Sequence, residues 1–479
     1  MEIKDLAPKN VWKNFIALNK VPRPSKKEQK VIAFMKNFGE NLQLPTIVDE
    51  IGNVIIKKPA TTGMEDRKTV ILQSHLDMVC QKNAATNFDF ETQGINMLIE
   101  NGWVTADGTT LGADNGIGVA SIMSLLESAA IPHPAIEALF TIDEETGMTG
   151  AFGLKGGLLD GEILLNLDTE DDDEFSIGCA GGIDTNTEYA YEQKKATGKA
   201  YKIEVKGLKG GHSGMDIILE RGNANKIINR LIVDAEKFGL CIAEIDGGSL
   251  RNAIPREAVA IITIEDDAYL NIFEQRKMDN LKELSISDPT AKISIEPTNL
   301  PAKTSTLAET TKITNTLQAV HNGVFKMSLA IPGLVETSSS LARVIVKDGA
   351  FITQSLQRSA VESGKMEVAY TVGAAFKLMG CKVEHRGSYP GWEPNTKSEI
   401  LDLMKAKYIA KFKENPKVAA CHAGLECGIL GVNYPKVDMI SFGPTIKNPH
   451  SPDEKVNIKT VEKFWGFLLA ILADFPNRN

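Results

Sequence analysis

Five short segments of the 479-residue chain place histidine or carboxylate side chains where an apolar run stops. Ser74-His75-Leu76-Asp77 puts His75 and Asp77 on one face, because strand side chains alternate. Asp114 lies in Gly-Ala-Asp-Asn-Gly, just ahead of a helical pattern. Glu144 and Glu145 form an adjacent acidic pair after ALFTID. Asp168 ends EILLNLD, and His450 lies in Pro-His-Ser-Pro. Singly, each has a structural reading: a hydrogen-bonded strand-end histidine, a helix N-cap at Asp114, a solvated loop edge, a charge run, a turn residue. Together they form a nitrogen and oxygen donor set that suits divalent zinc, cobalt or manganese. A carboxylate bridging two ions about 3.5–4 Å apart would make a two-metal hydrolytic centre. Spacing alone leaves open whether the segments meet.

Composition narrows the alternatives. The chain carries 53 basic and 62 acidic residues, a net charge of -9, and so has no basic excess for nucleic acid or an anionic membrane. No apolar run reaches membrane-spanning length, and the start, MEIKDLAPKN, lacks the pattern of a secretory signal. The six cysteines form no CxxC pair, which fits free thiols in a reducing, cytoplasmic setting. Length implies two domains.

These residues need elements to position them. TVILQSHLDMV, AIEALFTIDEE and EILLNLDTE are buried-strand patterns that each end in polar residues, and IGVASIMSLLESA has helical periodicity. Ser25-Lys-Lys-Glu28 has the form of a capping box opening a helix to about Asn41, and TIVDEIGNVIIKK predicts a hairpin turning at Gly52-Asn53. This is an α/β pattern with a largely parallel sheet, whose strand ends form a ligand-binding crevice. After Gly181 and Gly182 the texture becomes α+β to about Ser388, where SYPGWEPN makes a turn-rich linker. The expected division is a catalytic domain over 1–181 and 389–479, with an inserted unit over 182–388.

In order along the chain, SHLDMVC, GTTLGADNGIGVA, FTIDEETGMTGA, LNLDTED, GGHSGMDI, RNAIPRE, CHAGLECG and NPHSPDE resemble the sequence blocks of the M20 metallopeptidases. The resemblance extends to their aminoacyl-histidine dipeptidase branch and covers most of the chain. It implies a zinc-peptidase catalytic domain with a mixed, mainly parallel sheet and an inserted α+β lid that also dimerises. It further implies two zinc ions, with cobalt or manganese as substitutes. Asp114 would bridge them, His75 and Asp168 would hold one, and Glu145 and His450 the other. Asp77 would orient His75, and Glu144 would act as general base. His212 would help hold the oxyanion, reaching in dimeric relatives into the partner's site. Asn252, Arg358 and the backbone around Gly424, with His212, would contact the substrate. An Arg358 grip on the terminal carboxylate would restrict substrates to short peptides. Glu426 is left between a substrate contact and a structural role, and His422 is read as scaffold.

The function implied is a cytoplasmic, homodimeric di-zinc dipeptidase acting on Xaa-His dipeptides or on dipeptides broadly. An N-acyl-amino-acid amidohydrolase of the same fold is the alternative. A metal-binding scaffold without catalysis is the non-enzyme alternative, disfavoured because Glu144 and all five ligand-type residues are present.

Overall fold

The computed structural model describes residues 2–478 and divides into two compact units. One runs to Gly178 and resumes over Pro394–Ala420 and from Leu425 onward; the other comprises Cys179–Glu393 and Cys421–Gly424. The sequence placed the boundaries a few residues away, at 181/182 and 388/389, and assigned 421–424 to the catalytic part. That short segment clusters with the second unit because Ala180 N–H donates to the carbonyls of Cys421 (2.9 Å) and Ala423 (3.0 Å). The His422 ring also lies 2.8 Å from Ser338 Oγ.

The first unit is built on an eight-stranded sheet. At its centre Ile136–Thr141, Val70–His75, Ile163–Asn166 and Asp438–Ser441 lie side by side and parallel. All but the first residue of Asp438–Ser441 are buried. Strands covered on both faces need continuous Val, Ile and Leu runs, which explains why these segments lack polar alternation. Toward the edges the pairing turns antiparallel, through Val54–Lys58 and Thr46–Val48 on one side and Glu174–Cys179 on the other. The sheet is therefore mixed, with its parallel part confined to the centre. Three of the central strands end, or run on within a few residues, at His75, Glu144-Glu145 and Asp168, so the C-terminal ends of the parallel strands gather them.

The helix Ala113–Glu127 is buried over almost its whole surface. A β-carbon at Gly118 would sit 2.5 Å from Ser74 Oγ, so this glycine lets the helix settle directly on the strand that carries His75. Two sequence expectations fail locally. The helix Gln29–Asn41 is preceded by Glu28 with no side-chain cap, because Ser25 Oγ donates instead to Asp77 Oδ2 at 2.7 Å. Asp114 is not an N-cap: Gly112, at φ 70°, holds that position, and Asp114 has non-helical dihedrals inside the first turn.

The second unit is an antiparallel sheet of nine strands with helices packed on it. Its middle comprises Cys241–Gly247, Val335–Lys347, Ala350–Ser359 and Gly181–Ala190, paired in that order. Ile227, Ile228 and Leu231 of the helix Ala224–Ile232 share one core with Phe351 and with Val372 and Phe376 of the helix Glu362–Met379. This is the α+β texture expected for the insert.

Candidate metal centre and active site

Within the first unit, His75, Asp77, Asp114, Glu144, Glu145, Asp168 and His450 come together at the C-terminal ends of the parallel strands. The arrangement is organised around Asp114. Its Oδ1 lies 3.2 Å from His75 Nε2, which is itself 3.5 Å from Asp168 Oδ1. Its Oδ2 faces the other way, 3.4 Å from His450 Nε2, and that nitrogen is 2.8 Å from Glu145 Oε2. One carboxylate thus stands between two histidine–carboxylate pairs. Ligand-type atoms of His75, Asp114 and Glu145 all lie within 4.8 Å of one another, and Glu145 Oε1 is buried with no hydrogen-bond partner. An acceptor oxygen left bare inside an acidic cluster fits a cation, and the nitrogen–oxygen donor set fits zinc, cobalt or manganese.

Asp77 does more than the sequence indicated. It is fully buried, with Oδ1 3.4 Å from His75 Nδ1. The same carboxylate accepts from the backbone N–H of Glu144 (3.0 Å) and of Glu145 (3.2 Å). It therefore orients His75 and the acidic pair at once. Burial opposes the Asp77 charge, but His75, Ser25 and the Glu144 amide outweigh it and lower its pKa.

Crowding of carboxylates moves protons. Burial raises the Glu144 pKa well above the usual range, and Asp168, Glu426 and Glu145 add repulsion. Burial likewise lifts Asp168 to about 6. Hydrogen bonds to Asp114 and Glu145 raise His450 to about 11, although half of its side chain is exposed. Without metal ions this cluster holds protons that bound cations would displace.

Beneath the cluster runs a buried polar chain, which includes Glu426, the residue left between a substrate contact and a structural role. Glu426 Oε2 accepts from Gln73 Nε2 (2.6 Å) and Thr141 Oγ1 (2.8 Å). Gln73 in turn accepts from Asn166, which accepts from Ser441. Gln73 lies two residues before His75 and Asn166 two before Asp168, on the same strand faces, so the amides form the layer under the candidate ligands. Burial pushes the Glu426 carboxyl up to about 8.

Sequence reasoning also missed Glu454 and Arg23, both almost fully buried. Glu454 accepts four consecutive backbone N–H groups, Leu111 to Asp114, at 2.7, 2.9, 2.8 and 3.3 Å. Arg23 donates to the carbonyls of Leu76, Asp77 and Gly112. Glu454 stands inside the NPHSPDE block, four residues after His450, which was the one signal available; nothing marked Arg23.

His212, Asn252, Arg358 and Gly424 belong to the second unit. There His212 and Arg358 of one and the same chain are neighbours, with His212 Nε2 3.4 Å from Arg358 Nη2. His212 Nδ1 accepts from the N–H groups of Gly214 and Met215, so in the neutral ring Nε2 carries the proton. Two donors therefore face each other. Arg358 is 4% exposed, its Nε has no partner, and its Nη1 donates to Tyr389 Oη at 2.7 Å. A buried guanidinium that donates to a phenol, faces an imidazole N–H and has no carboxylate bonded to it is a place for an anion. Burial and then Arg358 hold the His212 pKa down. His422 is pushed to about 3, first by burial and then by Arg358 and His212. Asn252 is exposed, and its carbonyl accepts from Ser213 N–H at 2.8 Å, next to His212.

Comparison with known proteins matches residues 71–474 to peptidase family M20/M25/M40. The chain belongs to that family. It is 40% identical over 486 residues to the cytosol non-specific dipeptidase of Escherichia coli K12, covering 99% of each chain. The crystal structure of an aminoacylhistidine dipeptidase from Vibrio alginolyticus superposes with a TM-score of 0.96 at 41% identity, covering 100% of this chain and 99% of that one. Aminopeptidase PepT of Bacillus cereus shares the fold, at 16% identity and a TM-score of 0.57 over 98% of each chain. In this M20 chain the protons held around Asp114 lead to an expected outcome. Adding zinc to metal-free protein at pH 7 releases protons, and apparent affinity falls as pH drops toward 6, because neutral imidazole and ionised carboxylate are the binding forms. Calorimetry in buffers of differing ionisation enthalpy checks it; zinc binding with no net proton release contradicts it.

Proposed function

We propose that the chain is a two-metal dipeptidase, with zinc as the native ion and cobalt or manganese as functional substitutes. The observation that carries this reading is Asp114, whose two oxygens each face a separate histidine–carboxylate pair. Membership of the M20 family and the full-length relatives named as dipeptidases support the reaction class. His75 and Asp168 would hold one ion and Glu145 and His450 the other, with Asp114 shared.

Bound there, a pair of divalent ions supplies Lewis acidity and makes a water acidic near neutral pH. The rest is done by side chains of this chain. Glu144 takes the water's proton, a role that a carboxyl with its pKa raised by burial suits. It then returns the proton to the leaving amine. Asp77 keeps the His75 ring and the Glu144-Glu145 backbone in place throughout. In the second unit Arg358, with Asn252 and the Gly424 backbone, binds the substrate's terminal carboxylate, and His212 presents its Nε2–H to developing negative charge. A grip on the free terminal carboxylate would restrict substrates to short peptides.

The word cytosol in the name of the Escherichia coli relative supports a cytoplasmic location, and no helix among the described residues is long and apolar enough to cross a membrane. Pairing of two chains through the second unit is supported by exposed apolar side chains on and beside its strand Gly323–Met327, namely Phe325, Met327 and Leu329.

Three outcomes are expected. The zinc-loaded protein hydrolyses β-Ala-His and other unblocked dipeptides, and leaves N-acetyl-His and tetrapeptides intact. Preference for the acetylated compound would replace this reading with an amidohydrolase. Glu144→Gln keeps its zinc, measured by atomic absorption, and loses about three orders of magnitude in kcat; near-normal turnover removes Glu144 as the base. Arg358→Lys raises KM by about tenfold or more with a smaller change in kcat, since an ammonium cannot give two parallel bonds to a carboxylate. An unchanged KM places the carboxylate elsewhere.

A further inference from the structure

Glu454 occupies an unusual position for a glutamate. Its side chain is 2% exposed, and its two oxygens divide four consecutive amides: Oε2 takes Leu111 and Gly112, Oε1 takes Ala113 and Asp114. These are the donors that the start of the helix Ala113–Glu127 leaves unused, together with the turn before it. Such a cradle aligns the local dipoles on one carboxylate and leaves the backbone of Asp114 little freedom.

The opposite side of the same loop is held by Arg23. Its Nη2 donates to the Gly112 carbonyl at 2.6 Å and its Nη1 to the carbonyls of Leu76 (3.1 Å) and Asp77 (3.0 Å). A β-carbon at Gly112 would come within 2.4 Å of that guanidinium, so only glycine allows the approach. The two buried charges balance each other across the peptide groups of one loop. They tie the 111–114 segment to the end of the strand Val70–His75.

Glu454 also reaches His450 through its own chain. Its N–H donates to the Ser451 carbonyl at 2.9 Å, closing a tight turn after His450, and its carbonyl accepts from Thr105 Oγ1 at 3.0 Å. Asp114 and His450 are thus joined by a single side chain, although Glu454 and Asp114 are 340 residues apart in sequence. We propose that Glu454, with Arg23 as its counter-charge, is the positioning residue that sets the distance between the shared carboxylate Asp114 and His450, and so governs both metal positions. This rests on the two-metal reading of Asp114.

The test is Glu454→Gln in the full-length protein. An amide keeps the shape but turns one acceptor into a donor, so two of the four N–H groups lose their partner. The expected result is that zinc affinity, measured by calorimetry on stripped protein, drops about 10–100-fold at both positions. With zinc saturating, kcat falls and KM for a dipeptide stays the same. The matched control is Glu137→Gln, since Glu137 is equally buried in the same unit and accepts two backbone amides, Asp160 and Gly161, away from the cluster. It should lose thermal stability and keep wild-type zinc affinity. Wild-type zinc affinity in Glu454→Gln, or an equal loss in Glu137→Gln, overturns the proposal. Should Glu454→Gln fail to fold, hydrogen exchange on zinc-free wild type decides: protected amides at 111–114 support a preformed cradle, and free exchange there overturns it. Wild-type protein that binds no zinc would instead remove the two-metal reading itself.

Discussion

The constraint on which the first unit turns is the cost of crowding carboxylates at the C-terminal ends of the parallel strands. Asp77, Asp114, Glu144, Glu145, Asp168 and Glu426 gather there, and most are buried or nearly so. Desolvation and mutual repulsion both disfavour such a group. Parts of the fold offset that cost without any ion. Asp77 is held in its charged form by two backbone amides, a serine hydroxyl and His75. The others are less well served. Glu144, Asp168 and Glu426 all have pKa values moved upward, and Glu145 retains a bare buried oxygen. The deficit is therefore concentrated around Asp114 and its neighbours, where added positive charge would be most stabilising.

The second unit holds the complementary deficit. Arg358 is buried among His212, His422 and Tyr389, so its cluster has a fixed positive charge and no carboxylate bonded to it. Burial first and the arginine second lower the pKa of both histidines, which keeps the two rings neutral. Because His212 and Arg358 come from the same chain, the pair is assembled without a partner subunit.

How much of this was legible in the sequence depended on range. Continuous apolar runs located the central strands, and period-3.6 spacing located the helix Ala113–Glu127, since those signals are local. Patterning singled out His75, the Glu144-Glu145 pair and Asp168 at or just past the ends of apolar runs, whereas Asp114 lies before a helix and His450 between prolines, and the role of every one came from the resemblance to the M20 blocks. Local signals misled where a distant partner outcompeted a near one. Ser25 had the sequence context of a cap, but the buried Asp77 carboxylate offered its hydroxyl a stronger partner. Asp114 had the context of an N-cap, but Glu454 already supplies the acceptors that the helix start needs. No window of sequence contains both members of either pair.

The polar chain below the cluster shows why alternation alone could not reveal the supporting layer. Gln73 and Asn166 each follow three apolar residues in their strands, and each is buried. A buried amide must have its hydrogen bonds made, and in isolation either residue reads as a defect in a core strand. Placed side by side by the parallel pairing of Val70–His75 with Ile163–Asn166, they satisfy each other and pass the bond on to Glu426 and Ser441. A one-residue slip between these strands would leave several of these groups unpaired at once. The amide layer thus specifies the register, and register decides whether His75 and Asp168 arrive level with each other two residues later. A sheet held only by interchangeable Val, Ile and Leu contacts would lack that discrimination.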